Sequence, residues 1–474
     1  MAKFNQPLPK AQPAFNKCGY PAYDMEDKTK LVTMALTTML REPKFYGDNS
    51  DELIRLAQSV DPAFVSRLAV YARREAHLRS VSHALCAVVA NRGKEYIRPV
   101  VAGVVERADD ITEILSAYLA LYGKPIPNGL KKALARELNQ LNEYELAKYK
   151  GEQNELKMRD VIALVHPKPK DKAQAELFGR VMAGTLQSPN TWETQLSARG
   201  NRREVWEELI ESGQIGYMAL LRNLRNILEA CPRNQKLVFE RLADREAVLR
   251  SKQMPFRFYS AYQALKEANL ASSKVFDTLE RAIAYSVENM DRVPGKTLIA
   301  IDVSGSMMSP ISKNSDVCCS DIARLLAVMA IRICEDAVAV SFDTKLNLLA
   351  ISAVGGILSQ ADQILVNGGG TDLQLPVAWA LKGKRYFDRL ILLSDNENNY
   401  RFSTCQPLVN EYRKTVNPKF FVHAVDLQGY GTQQFIGRDT NIIAGWSENV
   451  LRFIGLAEQG MDTLTKTVEH YDIH

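Results

Sequence analysis

No stretch of this chain stays apolar long enough to cross a membrane; runs such as Leu390–Leu393 and Phe420–Val422 fall far short of the roughly 18 residues a spanning helix needs. Cysteine is thinly spread. The seven cysteines form no CxxC pair, and Cys318 adjoins Cys319, so the sequence offers neither a zinc ribbon nor a disulfide framework. Histidine is scarcer still, with six residues, and His77 and His83 lack the HExxH spacing of a zinc hydrolase. Met1 to Pro7 show neither the apolar core nor the small-residue cleavage site of a secretory leader, which makes the cytoplasm the expected location. No large charge excess is present either. A formal charge of +5 and a pI near 8.6 permit a local nucleic-acid patch without requiring one. With 26 Gly and 19 Pro the composition is neither collagen-like nor disordered, and 474 residues favour two or three folded domains.

The chain changes character near Val293. Residues 1–26 are Pro-rich and aperiodic at first, with Pro7, Pro9 and Pro13, and read as an extended arm. From 27 to 292 amphipathic helices follow one another. Val32, Ala35, Leu36, Met39 and Leu40 recur at helical spacing, as do Leu53, Leu56, Ala57 and Val60, and then Val65, Leu68, Ala69 and Ala72. Asp61-Pro62 supplies an N-cap and a first-turn proline for the third helix. Short loops between such helices predict an α-solenoid of antiparallel pairs, although no repeat length is constant. After the turn-forming Arg292 to Lys296, the apolar run Thr297–Ile301 reads as a strand buried on both faces. Ala337–Phe342, Arg389–Ser394 and Lys419–Val425 follow suit, alternating with helical segments at 321–335, 373–384 and 408–415. That alternation predicts a parallel, doubly wound α/β domain over 297–474, with ligands held beyond the carboxyl ends of its strands.

Those ends carry oxygen ligands. Asp302, Ser304 and Ser306 follow the first strand; Thr371 comes after Gly368-Gly369-Gly370; Asp395 follows Arg389–Ser394. Two carboxylates and three hydroxyls, with no His or Cys, select a hard divalent cation, Mg²⁺ first and Mn²⁺ or Ca²⁺ as alternatives. The set leaves room for water or for an acidic group from a partner protein. Enzymatic readings of the loop fare poorly. A haloacid-dehalogenase-type phosphatase wants a second Asp where Ser304 stands, and neither GxSxG nor GxxxxGK[ST] occurs. In order and spacing, Asp302, Ser304, Ser306, Thr371 and Asp395 resemble the metal-ion-dependent adhesion site of von Willebrand factor A domains.

The helical part carries a basic stretch. Between Lys124 and Lys172 eleven basic residues face seven acidic ones, enough for a salt-sensitive phosphate-binding face. Tyr217-Met218-Ala219-Leu220-Leu221-Arg222-Asn223-Leu224-Arg225-Asn226, Pro255-Phe256-Arg257-Phe258, Gly129–Leu134, and the stretch from Lys148 through Arg159 to Lys168 are similar to the TROVE module of the Ro autoantigen family. That family also places an A-type domain after its helical module. The resemblance implies a ring of HEAT-like repeats that is RNA-binding and not an enzyme. Single-stranded ends of misfolded RNAs would enter the central hole, and small Y RNAs would bind the outer surface, in a small-RNA quality-control or stability role. Carried over residue by residue, it implies RNA contacts from Lys131, Lys132, Lys148, Lys150, Arg159 and His166, and from Arg222. An exoribonuclease, or another protein presenting an acidic residue to the metal, would be the protein partner; a membrane would not. Two rival readings are a metal-dependent protein adaptor without RNA and a metal-dependent phosphoryl hydrolase using Asp302 or Asp395.

Overall fold

The computed structural model describes residues 13–15, 21–24, 27–37, 50–149, 156–187, 189–311, 317–399, 405–428, 432–437, 439–444, 449–458 and 461–473. They fall into two compact units. The first holds 27–41, 49–194 and 462–474; the second holds 195–461 with 1–26 and 42–48.

The first unit is helical. Asp61 accepts the Phe64 amide at 3.3 Å and Pro62 opens the helix Pro62–Arg74, the start expected from their sequence. This helix packs on Arg79–Arg92 and on Ile97–Val104; Arg79–Arg92 packs on Ala108–Tyr122, Ile97–Val104 on Asn128–Leu138, and that in turn on Met158–Val165. Helices alternate between two layers, each touching the next but one, which is solenoid packing without a fixed repeat length. At Gly103 a Cβ would stand 2.7 Å from a Val70 methyl, so glycine is what lets two helices approach this closely. All but the first residue of the closing helix Met461–Glu469, and the residues after it, belong to the same unit: Lys28 pairs with Glu469 at 2.7 Å, and the Tyr471 ring lies edge-on to Tyr71 at 5.3 Å.

The second unit joins further helices, ending at Ser273–Val287, to the sheet domain. Its strands are β1 (Pro13–Phe15), β2 (Pro21–Asp24), β3 (Val293–Asp302), β4 (Cys334–Phe342), β5 (Leu346–Leu349), β6 (Arg389–Ser394), β7 (Phe421–Asp426), β8 (Thr432–Gln433) and β9 (Thr440–Ala444). Six form one sheet in the order β5-β4-β3-β6-β7-β9. Leu298, Ala300, Val340, Leu390, Leu392 and Val422 share one buried face. The helix Cys319–Ile333 packs against β3, β4 and β6. Burial of both faces accounts for the continuous apolar strands.

Two expectations need correction. The sheet is mixed, because Asp343–Lys345 is too short to cross over and folds β5 back antiparallel on β4. The amino-terminal stretch is not simply an extended arm: β1 and β2 pair with each other and with β8 in a small antiparallel sheet.

Candidate metal centre and nucleic-acid interface

Strand order reverses between β3 and β6, and in an open α/β sheet that switch point is where ligands sit. Asp302 ends β3 and Asp395 follows β6. Asp302 is fully buried; its carboxylate accepts the Ser304 amide at 2.9 Å and the Ser394 hydroxyl at 2.6 Å. Burial, with the negative charge of Asp395 added, pushes its pKa up to about 7. The Ser304 and Ser306 hydroxyls lie 3.2 Å apart at the opening of the 3-10 turn Gly305–Met308.

The glycine loop is tied to this turn. Asn367 and Gly368 donate to the Val303 carbonyl at 3.1 and 3.3 Å, and the Gly305 amide donates to Gly369 at 2.9 Å. A Cβ on Gly305 would come within 3.1 Å of the Gly368 carbonyl oxygen, so the two loops meet backbone to backbone. Thr371 is buried, and its carbonyl takes the Asn399 amide at 2.9 Å, which links it to the Asp395 loop. All five predicted ligands are therefore carried by three interlinked loops at one end of the sheet.

Among the described residues Asp302 forms no ion pair, and no three His, Cys, Asp or Glu side chains are grouped as metal ligands. Two buried carboxylates that repel each other, with three hydroxyls, match the donor set of a hard cation. Sequence reasoning missed the Ser394 hydroxyl on Asp302, and two buried acids, Asp343 directly after β4 and Asp426 at the end of β7. The strand-end rule would have found both acids.

The basic residues divide among separate places. On the helix Asn128–Leu138, Leu130, Ala133, Leu134 and Leu138 are buried, which turns Asn128, Lys131, Lys132, Ala135 and Arg136 the other way. These residues line a cavity of about 470 Å³ together with Asn139, Val165, His166 and Lys168. The Asn139 amide donates to the Lys168 carbonyl at 2.9 Å, and Gln174 donates to the Asn139 carbonyl at 2.9 Å, so the chain after His166 is fastened along the helix. His166 adopts φ +53 and ends the helix Met158–Val165 before Pro167.

The structure thus groups Lys131, Lys132 and His166, and adds Arg136 and Lys168. Lys148 is not in this groove; it is exposed, with its ammonium 5.4 Å from the Tyr149 ring, over which Arg107 also lies at 4.5 Å. Arg159 is half-buried in the first turn of its helix, and Lys150 lies outside the described residues. Arg222, in the second unit, is exposed rather than buried in the helical core. The neighbouring Tyr217 packs on Phe258 and donates to the Leu242 carbonyl at 2.7 Å, so much of that motif is structural.

Comparison with known proteins agrees with this architecture. The TROVE domain model matches residues 25–184 and 174–290, and the Ro60 vWA domain model matches 296–454. Rat telomerase protein component 1 is 27% identical over 343 residues, 52% of this chain but only 13% of that protein. RNA-binding protein RO60 of Caenorhabditis elegans is 26% identical over 42% of this chain and 32% of its own length; that of Deinococcus radiodurans is 27% identical over 41% and 39%. The crystal structure of Deinococcus radiodurans RO (RSR) protein superposes with a TM-score of 0.69 at 20% identity, covering 91% of this chain and all of that one. With TROVE matches over more than half its length and a Ro60-type A domain behind them, the chain belongs to the TROVE family and has the domain order of Ro autoantigen proteins.

Proposed function

We propose that this chain is a cytoplasmic RNA-binding protein of the Ro type that holds small structured Y-type RNAs against the basic groove of its first unit. In this reading it also takes single-stranded ends of misfolded RNAs in the central hole that the family resemblance implies, with Arg222 on that route. Its part is recognition, storage or hand-over in small-RNA quality control, without turnover of its own.

The groove carries the reading. Lys131, Lys132, Arg136 and Lys168 line it with His166, and no carboxylate does. Two relatives named RNA-binding protein RO60, and a telomerase protein component, support RNA as the ligand. Phosphates would meet the lysines and Arg136, while the His166 ring can stack on or hydrogen-bond a nucleotide. In the A-type domain Asp302, Ser304, Ser306, Thr371 and Asp395 would hold a divalent cation, Mg²⁺ first. That cation would accept an acidic group from a protein partner such as an exoribonuclease.

The test is a titration of a small structured RNA against wild type and the Lys132→Glu, Lys168→Glu double variant. Both side chains are exposed, so the fold should persist. The expected result is weaker binding, with the slope of log affinity against log salt reduced by roughly 0.9 per lost phosphate contact. Unchanged affinity removes the groove from the reading, and purified protein that neither carries nor binds RNA favours the protein-adaptor alternative.

A further inference from the structure

The A-type domain has a second end. β6 and β7 begin about 20 Å from the metal loops, one strand length away. There the segment Lys382-Gly383-Lys384-Arg385-Tyr386 meets the end of the helix Gln406–Thr415. The Tyr412 hydroxyl donates to the Arg385 carbonyl at 2.6 Å and accepts the Phe387 amide at 2.9 Å; the Asn417 side chain donates to the Phe387 carbonyl at 2.8 Å. These bonds tie the segment that carries Lys382, Lys384 and Arg385 to the helix end and turn that carry Lys414 and Lys419, and all five side chains are exposed. Among the described residues none of the five forms an ion pair. Of the nearby acids, Asp388 is engaged by the Lys296 amide at 2.6 Å and the Tyr386 hydroxyl at 2.9 Å, and Glu411 is exposed on the helix itself.

Arg385 is not a loose surface arginine. Its guanidinium lies 4.0 Å from the centre of the Trp379 ring, and one of its terminal nitrogens donates to the Trp379 carbonyl at 2.7 Å. Gly383 makes this feasible, since a Cβ there would fall 1.7 Å from that nitrogen. Trp379 is backed in turn by Phe387, at 6.3 Å between rings. One edge of the guanidinium is therefore spent on a backbone carbonyl, which weakens it as a fork for a carboxylate. Its outer face remains open. A flat, charged, pre-oriented guanidinium, with exposed lysines on its own segment and on the helix end bonded to it, suits an unpaired base with its flanking phosphates better than an acidic peptide, which needs point charges only.

We propose that this end of the A-type domain binds single-stranded RNA, with Arg385 on Trp379 stacking one unpaired base while Lys382, Lys384, Lys414 and Lys419 meet the neighbouring phosphates. This surface is separate from the groove of the first unit.

The full chain carrying Arg222→Glu, which disables the central-hole route proposed above, is titrated with an unstructured oligoadenylate, alongside the same chain with Arg385→Lys, Arg385→Ala, Gly383→Ala or the Lys414→Glu, Lys419→Glu pair. Arg385→Lys keeps the charge and removes the plane, and Gly383→Ala keeps every charge while displacing the guanidinium. Each is expected to weaken oligoadenylate binding by roughly tenfold, close to the loss in Arg385→Ala. The double lysine variant should lower the salt slope by about 0.7 per lost contact. Photocrosslinking of the same oligonucleotide should mark the peptide 379–386. Affinity unchanged from the Arg222→Glu chain in Arg385→Lys and Gly383→Ala, or equal competition by polyglutamate, overturns the proposal in favour of a plain anion-binding patch. A small structured RNA without single-stranded ends, run in parallel, should bind the Arg385 variants as it binds wild type. If it fails to bind wild type at all, the groove reading falls while this one is judged on the oligoadenylate.

Discussion

Asp110 shows how much one side chain can organise. It is fully buried and accepts from Arg73 at 2.9 Å, Arg79 at 2.7 Å, His83 at 2.9 Å and the amides of Glu106 and Arg107 at 3.0 Å. Burial works to raise its pKa, but the hydrogen bonds from His83 and Arg79 and the charge of Arg73 prevail and hold it well below the ordinary carboxylate range. Asp110→Ala would leave the buried Arg73 with only the half-exposed Glu106 as a carboxylate partner and would unpair the His83 ring, and should cost about 3 kcal/mol in chemical denaturation. The sign of the pH dependence follows. A depressed carboxylate contributes fully above its unfolded pKa near ~4 and loses that contribution as pH falls further. Burial also lowers the His83 pKa, so His83 favours the folded state above about pH 6.5 and less so below it. The first unit should therefore lose stability from about pH 6.5 downward by at most roughly 1.4 kcal/mol per proton and pH unit, and Asp110→Asn should flatten its acid arm. Asp302, whose raised pKa gives the opposite slope, lies in the second unit, so a pH-independent melting transition of the first unit between about pH 7 and 4 would contradict this. At the metal loops the corresponding residues are Asp302 and Asp395. Alanine at either should weaken Mg²⁺ or Mn²⁺ binding by calorimetry, and Ser394→Ala, which frees the Asp302 carboxylate, should cost roughly tenfold or more. Cation affinity unchanged from wild type in all three variants would dismiss the site.

Between whole elements, close approach is the quantity to test. Gly103→Ala places a methyl against Val70 and should destabilise the first unit by about 1–3 kcal/mol, while Val70→Ala in the same chain should recover part of that loss. Strict additivity of the two changes would show that the helices adjust instead. Element existence was the legible part of this fold. Arg389–Ser394 is a strand with the bounds read from its apolar run, and Asp61-Pro62 opens its helix as read, because both signals are local. β5, β8 and β9 were not legible. Leu346–Leu349 has only a tight turn and its partner β4 to define it, and two-residue β8 exists only through pairing with β2. That Asp302, Ser304, Ser306, Thr371 and Asp395 share one end of the sheet could be read because a strand-end rule converts sequence position into place. The groove could be read only in part: Lys131 and Lys132 stand on a visible amphipathic helix, whereas Lys168 reaches it through an Asn139 contact that no local pattern announces.

At the scale of the molecule, the two compact units differ in what should stabilise them. The first contains the Asp110 cluster and the closing helix Met461–Glu469; the second contains the sheet and its candidate cation ligands. A ligand that binds only folded protein stabilises by RT ln(1 + [L]/Kd), about 2.7 kcal/mol at a hundredfold excess over Kd. Mg²⁺ should therefore raise the melting temperature of the second unit and leave that of the first in place. Asp110→Ala should do the reverse, lowering the first transition alone. Differential scanning calorimetry of the full chain, with Mg²⁺ and with chelator, should resolve two transitions, one responding to each perturbation. Removing residues 462–474 should act like Asp110→Ala, because Glu469 and Tyr471 hold to Lys28, Glu75 and Tyr71 within the first unit. A single transition that moves with both the cation and Asp110 would mean that the units unfold as one, and that a cation at the candidate ligand loops bears on the stability of the basic groove as well.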